Sequence, residues 1–254
     1  MQEPATLLIA HDEHITTLTL NRPHARNAVD LATLDALERT LDALHADPPR
    51  AVILRATAPG FCSGIDLKES RETTPAFALF RVSTMHRVLG KLRRLPVPVI
   101  AALDGTCVGL GCELAISADL RLATAATRFC YAEPRVAVPS PAHHLIRLIG
   151  LARAQEMLLT ARWVAADEAA QSGLVTQIVA DADRAAHEAA AAIVALAPQA
   201  VARTKENIWL SIKEGAEAST LHHSTGIAEA AATADRREAL AAFAEKRAPH
   251  FTGK

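Results

Sequence analysis

The chain has 254 residues, half of them apolar and 22% charged, enough to pack a soluble core as one large domain or two small ones. A net charge of −1 gives no electrostatic case for nucleic acid or an anionic membrane surface, and no run reaches the roughly 18 apolar residues of a membrane-spanning helix. The four cysteines, at positions 62, 107, 112 and 130, have no CxxC spacing and no histidines at metal-ligand spacing beside them, so they read as small buried apolar residues and no metal is expected.

Met1-Gln2-Glu3-Pro4 lacks the basic start and apolar run of a secretory leader, and a cytoplasmic location is expected. Thr6–Ala10 and Ile15–Leu20 alternate apolar and polar residues around His11-Asp12-Glu13-His14, the pattern of a hairpin. Pro23 stops the second strand. Asp30 is a good N-cap, and Leu31, Leu34, Leu37, Leu41 and Leu44 follow at helical spacing until Pro48-Pro49. Residues 51–56 form a buried strand, and residues 60–64 a glycine-bearing turn. Residues 65–70 look like a short helical start, and residues 72–94 form a helix. The Pro-rich stretch 95–98 breaks it, and the apolar run 97–103 is the next buried strand.

Asp104 to Ala115 is the stretch that the rest of the chain serves. Gly105, Gly109 and Gly111 mark a strand-to-helix turn in which a ligand can approach the backbone. The following helix offers free N–H groups and a positive dipole end, with Glu113 one step inside. The apolar helical pattern itself is read over Leu114 to Ala118. Glu113 is either a base acting there or a solvated side chain on a tight turn. Short strands are expected at 119–123 and 129–132. Ser140 reads as an N-cap with Pro141 at the first helical position, starting a helix through Leu148. The remainder is helical apart from a strand at 175–179, with final helices over about 181–197, 198–214, 217–232 and 235–246. No linker divides the chain, which reads as an α/β core over residues 1–195 with a helical region over 196–254.

If the strands at 51–56 and 97–103 are parallel neighbours, the turns that follow them meet at one sheet edge. The N–H groups of Ile65 and Leu110 can then aim at one oxygen, and two such donors form an oxyanion hole. Losing one donor costs roughly 10²–10³ in rate in known cases. The alternative is two unrelated loops.

Five segments carry a resemblance. They are Asn21-Arg22-Pro23-His24-Ala25-Arg26-Asn27-Ala28, Phe61-Cys62-Ser63-Gly64-Ile65-Asp66-Leu67-Lys68, the Gly105–Ala115 stretch, Ala170-Gln171-Ser172-Gly173-Leu174-Val175 and Glu245-Lys246-Arg247-Ala248-Pro249-His250-Phe251. In this order, over nearly the whole chain, they resemble the crotonase, or enoyl-CoA hydratase/isomerase, superfamily. The resemblance implies a spiral of ββα units with a helical C-terminal region that joins subunits into homotrimers or homohexamers. It implies acyl-CoA thioester substrates and no cofactor beyond the substrate's own coenzyme A. The oxyanion donors fall on Ile65 and Leu110, and Gly109 precedes the latter. Residues 65–68, with Ser63, Gly64 and Ala28, match the CoA-contacting segments, and Lys68 and, more weakly, Arg26 match partners for CoA phosphate or adenine.

Hydration of an unsaturated thioester needs water activated at Cβ and a proton delivered at Cα, work for two carboxyls flanking one water. The resemblance places them at Glu113 and at Glu133. Glu113 is expected to deprotonate water and Glu133 to protonate Cα. The bland alternative for Glu133 is a surface acid paired with Arg135. Where the family carries a glycine-rich turn after this acid, the chain has Ala137-Val138-Pro139-Ser140-Pro141-Ala142-His143-His144. This departure bears on acyl-chain specificity and on the reaction. It leaves His143 or His144 as either an added acid/base or a helix-end surface residue. A hydratase acting on 2-enoyl-CoA is the expectation. The alternatives are a double-bond isomerase on the same scaffold and a non-catalytic acyl-CoA binder. Ser63 is no nucleophile elbow, and Gly109-x-Gly111 is no dinucleotide fingerprint.

Overall fold

The computed structural model describes residues 5–70 and 74–254. Residues 1–4, read above for a leader, and Glu72 and Thr73, at the head of the expected 72–94 helix, lie outside them. The hairpin forms as expected: β1 (Leu7–Asp12) pairs antiparallel with β2 (Ile15–Leu20). Helix α1 (Leu31–Ala46) begins where Asp30 accepts from the Thr33 amide at 2.8 Å, and its Leu34, Leu37, Leu41 and Leu44 are buried. After it come β3 (Ala51–Ala56), α2 (Pro75–Arg93), β4 (Val99–Leu103), β5 (Thr106–Val108) and α3 (Leu110–Ser117). Next are β6 (Leu120–Ala123), β7 (Arg128–Cys130), α4 (His143–Ile149), α5 (Leu151–Thr160), β8 (Val164–Ala165), α6 (Ala166–Gln171) and β9 (Gln177–Ile178). Helices α7 (Ala182–Val194), α8 (Pro198–Glu214), α9 (Ala216–Ala231) and α10 (Ala234–Glu245) complete the chain.

Six strands form the main sheet in the order β1-β2-β3-β4-β6-β9, parallel from β2 onward. A second sheet is β5-β7-β8. The repeat is now visible. β4 and β6 each enter the main sheet, and the strand after each, β5 or β7, enters the small sheet. β3 follows the same plan, since Cys62 forms a parallel bridge to Cys107 in β5.

Side-chain alternation along the strands decides what covers each face. Val52, Leu54, Val99, Ala101 and Leu103 face the large core beneath α1, α2 and α3, whereas Ile53, Ile100 and Leu122 face the alanines Ala182, Ala186 and Ala190 of α7. Alanine at every fourth position lets that helix sit close to the sheet. Beyond α7, buried Lys205 of α8 reaches back to donate to the Val97 carbonyl at 2.8 Å and to Asp119 at 2.6 Å. Arg50 likewise donates to the carbonyls of Val194 and Phe251.

Four expectations are corrected. Helix α3 starts at Leu110, not Leu114, because Gly109 is its N-cap and Gly111 lies in its first turn. The segment 65–70 yields only a 3-10 turn over Leu67–Ser70. The late strand shrinks to Gln177–Ile178. Ser140 caps no helix: α4 begins at His143 after Ala142, and the Ser140 hydroxyl is used elsewhere.

Candidate active site

The two glycine turns are one structure. β3 and β4 are parallel neighbours, and the chain after each is stitched to the other by backbone bonds, Cys62 N–H to Thr106 O at 3.0 Å and Val108 N–H to Cys62 O at 2.9 Å. The contact is so close that a Cβ on Gly111 would lie 2.4 Å from the Cys62 carbonyl oxygen. No residue but glycine fits there without moving the backbone.

This docking sets the two amides side by side. Ile65 bridges Val29 in parallel: Val29 donates to Gly64 O and Asp66 donates to Val29 O. The Ile65 N–H therefore points to the opposite side, away from Val29. Leu110 is the first residue of α3, so its N–H has no intrahelical acceptor. Among the described residues, neither amide donates to a backbone carbonyl. A Cβ on Gly64, the residue before Ile65, would lie 3.9 Å from Leu110 N. Two neighbouring unpaired donors at a helix N-terminus can receive a single oxygen carrying negative charge.

Glu113 follows one turn into α3, only 7% exposed. Its Oε1 accepts from the Tyr131 hydroxyl at 2.9 Å. Burial pushes its carboxyl up to about 7, with Glu133 adding to the rise, while the Tyr131 hydrogen bond and the Arg93 charge hold it back. Glu133 starts a 3-10 turn after β7 and lies half-buried. Its Oε1 would be 2.9 Å from a Cβ on Gly109, and its Oε2 accepts from Ser140 at 3.3 Å. Burial raises its carboxyl as well, against the Ser140 bond. Glu133 does not pair with Arg135, whose guanidinium donates to the Ala161 carbonyl. Gly109, at φ +50°, is thus the floor between the second carboxylate and the Leu110 amide.

The remaining expected residues border the same turns in different ways. Arg26 O accepts from Ser63 N–H at 3.1 Å, and the Ser63 hydroxyl donates to Ala25 O at 3.2 Å, so the 25–28 and 63–68 segments run together. Arg26 and Lys68 are exposed on this rim. Ala28 is buried, and its carbonyl accepts from Arg22. Asp66 is spoken for internally. Burial works to raise its carboxyl, but the Lys68 amide and Arg22 prevail and leave it lowered. Leu67 projects outward, 52% exposed. Asn27 grips the Gly60 turn by donating to Thr57 O at 2.6 Å and Gly60 O at 2.8 Å.

Sequence reasoning missed Tyr131, Ser140 and Arg93. Tyr131 is fully buried in an apolar stretch, and a buried phenol needs a partner; that was its signal. Arg93 donates to Ser117 Oγ at 2.8 Å, and nothing in its local sequence marks it. Of the two histidines, His143 is exposed and His144 half-buried. Burial, then Arg93, His143 and Arg147, depress His144 to about 4, so it is neutral near pH 7. A cavity of about 670 Å³ at the carboxyl edge of the main sheet holds none of these residues. Its Asp104, Asp181 and Asp183 outnumber Arg55 and do not suit a phosphate-bearing ligand.

The sequence and the fold have counterparts among known proteins. The family profile described as Enoyl-CoA hydratase/isomerase matches residues 10–254. The Bacillus subtilis protein YngF, named for that same activity pair, is 38% identical over 261 residues, covering 97% of this chain and 98% of its own. The crystal structure of an enoyl-CoA hydratase from Bacillus anthracis superposes with a TM-score of 0.95 at 31% identity, covering 98% of this chain and 100% of that one. An enoyl-CoA hydratase from Mycobacterium smegmatis gives 0.93 at 36% identity, over 98% and 99%.

Proposed function

Because the chain belongs to the enoyl-CoA hydratase/isomerase family, whose crotonase fold it shares, we propose that it is a hydratase. It adds water across the 2,3 double bond of a 2-enoyl-CoA to give the 3-hydroxyacyl-CoA. One observation carries this reading: Glu113 and Glu133 both stand beside the Gly109–Leu110 step, each with its carboxyl raised by burial and held by a hydroxyl. Isomerisation needs one group to shuttle a proton; water addition uses two.

The thioester oxygen sits between the Ile65 and Leu110 amides, which stabilise the enolate as charge moves onto it. Burial raises both carboxyls, that of Glu113 to about 7. In the reactive state Glu113 is ionised and takes a proton from water, whose oxygen bonds to Cβ. Glu133 is protonated and delivers its proton to Cα. Return of one proton from Glu113 to Glu133 resets the pair. Residues 63–68 with Ala28 line the CoA arm, and Lys68 and Arg26 meet its phosphates. The region after residue 195 joins subunits into a homotrimer or homohexamer through apolar positions left outside, of which Phe243 is 86% exposed.

Incubation with crotonyl-CoA tests the reading. Loss of enoyl absorbance with formation of 3-hydroxybutyryl-CoA supports it. Conversion of 3-enoyl-CoA to 2-enoyl-CoA without hydration would replace it by isomerisation. Binding without turnover, unchanged in Glu113→Gln, would leave a carrier of acyl-CoA.

A further inference from the structure

Behind Glu113 lies a positive cluster that the hydration chemistry does not use. Glu113 and Ser117 are four residues apart, on one face of α3. The Ser117 hydroxyl donates back to the Glu113 carbonyl at 2.7 Å and accepts from Arg93 Nη1 at 2.8 Å. The Arg93 guanidinium is therefore about one helical turn beyond the Glu113 carboxylate, measured away from the Leu110 amide. His144 approaches from the start of α4, its ring edge-on to Trp209 at 6.1 Å and to His143 at 5.0 Å.

The charges there do not balance. Arg94 opposes the Arg93 charge, and Arg93 and Arg147 together act against protonation of His144. Among the described residues, the carboxylate that acts on Arg93 is Glu113, the group the reaction itself engages. Among the described residues, this half-buried guanidinium with five donors makes a single hydrogen bond, to a serine hydroxyl. Buried cations are normally paired with an anion, and planar guanidinium is the side chain best matched to a carboxylate.

For an acyl chain held by its thioester oxygen at Leu110, with Cα and Cβ against the two glutamates, the way to Arg93 runs along α3 toward Ser117. Two or three carbons past Cβ cover roughly half a helical turn or more, which brings a terminal group within hydrogen-bond reach of Arg93. The geometry points to a substrate whose acyl chain ends in a carboxylate two to three carbons beyond Cβ, received by Arg93 with His144 beside it. The catalytic roles stay with the glutamates; Arg93 sets specificity. This assignment rests on the hydratase reading for its reaction but not for its binding site.

The test compares purified wild type, Arg93→Gln and Arg93→Lys on crotonyl-CoA and on glutaconyl-CoA, a five-carbon 2-enoyl thioester ending in carboxylate, each enzyme at its own pH optimum. Wild type is expected to show a kcat/KM at least tenfold higher for glutaconyl-CoA. In Arg93→Gln the loss on glutaconyl-CoA should exceed the loss on crotonyl-CoA by tenfold or more, and Arg93→Lys should recover part of that gap. Equal losses on the two substrates, or a wild type that prefers crotonyl-CoA, would overturn the assignment. Calorimetry with the saturated pair glutaryl-CoA and butyryl-CoA separates the two claims. If no enoyl-CoA is hydrated but glutaryl-CoA binds at least tenfold tighter, and only while Arg93 is present, the hydratase reading falls and the carboxylate site stands. If the two saturated thioesters bind alike, the carboxylate site falls whatever the enzyme does.

Discussion

The two glutamates of the proposed pair come from segments built in opposite ways. Glu113 rides on α3, buried along its whole length and pinned to the Gly60–Gly64 turn by backbone contact at Gly111. Glu133 starts a 3-10 turn, and residues 134–139 after it are all exposed. A tyrosine in the core holds the first acid; a serine on the loop holds the second. The rigid side fixes the positions of Glu113 and the Leu110 amide. The open side, which lacks the family's glycines, is where a different substrate can be accommodated at little cost to the core.

The sharpest way to break this contrast is to remove each acid. Glu113→Gln should lower crotonyl-CoA hydration by roughly 10³–10⁴ and Glu133→Gln by roughly 10²–10⁴, the range of positioned acid/base groups. Retention of more than a tenth of wild-type kcat in either variant removes that group from the chemistry. Next in size is the seam. Gly111→Ala drives a methyl into the Cys62 carbonyl and should cost more than about 2 kcal/mol in urea unfolding. Ser140→Ala on the loop should cost under about 1 kcal/mol. Equal costs would mean that the two sides are not mechanically distinct.

A third prediction concerns Glu113 and pH. Its folded carboxyl, at about 7, lies above the ordinary 4.5. The folded state thus binds the proton more tightly than the unfolded chain, and stability is lost as pH rises from about 4.5 through 7. Glu113→Gln should raise unfolding stability at pH 8 by on the order of 2 kcal/mol, with the gain gone below pH 4.5. A gain independent of pH would contradict a raised Glu113. Smallest is Tyr131→Phe. Loss of its hydrogen bond lets the Glu113 carboxyl rise further, so the acid limb of the pH–rate profile, set by the need for an ionised Glu113 and expected near 7, should move up by about one pH unit or less. A downward shift would show that Tyr131 does not favour the ionised form.

Much of the scaffold could be read ahead of the structure, because its signals are local. Asp30 capping α1, the leucine stripe behind it and the buried runs of β3 and β4 each declare themselves within a few residues. The three residues of β5 and the two of β8 are too short for any period to register, and they exist through pairing with β7. Within the proposed site, motif order points to Glu113, Glu133, Ile65 and Leu110. It does not point to Tyr131 or Arg93, since each meets its partner 18 or 24 residues away in sequence. Ser140 was misread for a related reason: its position before Pro141 fits a helix cap, and only the fold brings Glu133 near enough to compete.

The donors at Ile65 and Leu110 belong to the main chain, and this has a consequence for genetics. A survey that trims every side chain in turn leaves both N–H groups in place, so it would pass over the groups proposed to receive the developing charge. Ordinary mutation can move them but not delete them. Exchanging the peptide link at Leu110 for an ester, by chemical ligation, is what takes that hydrogen away.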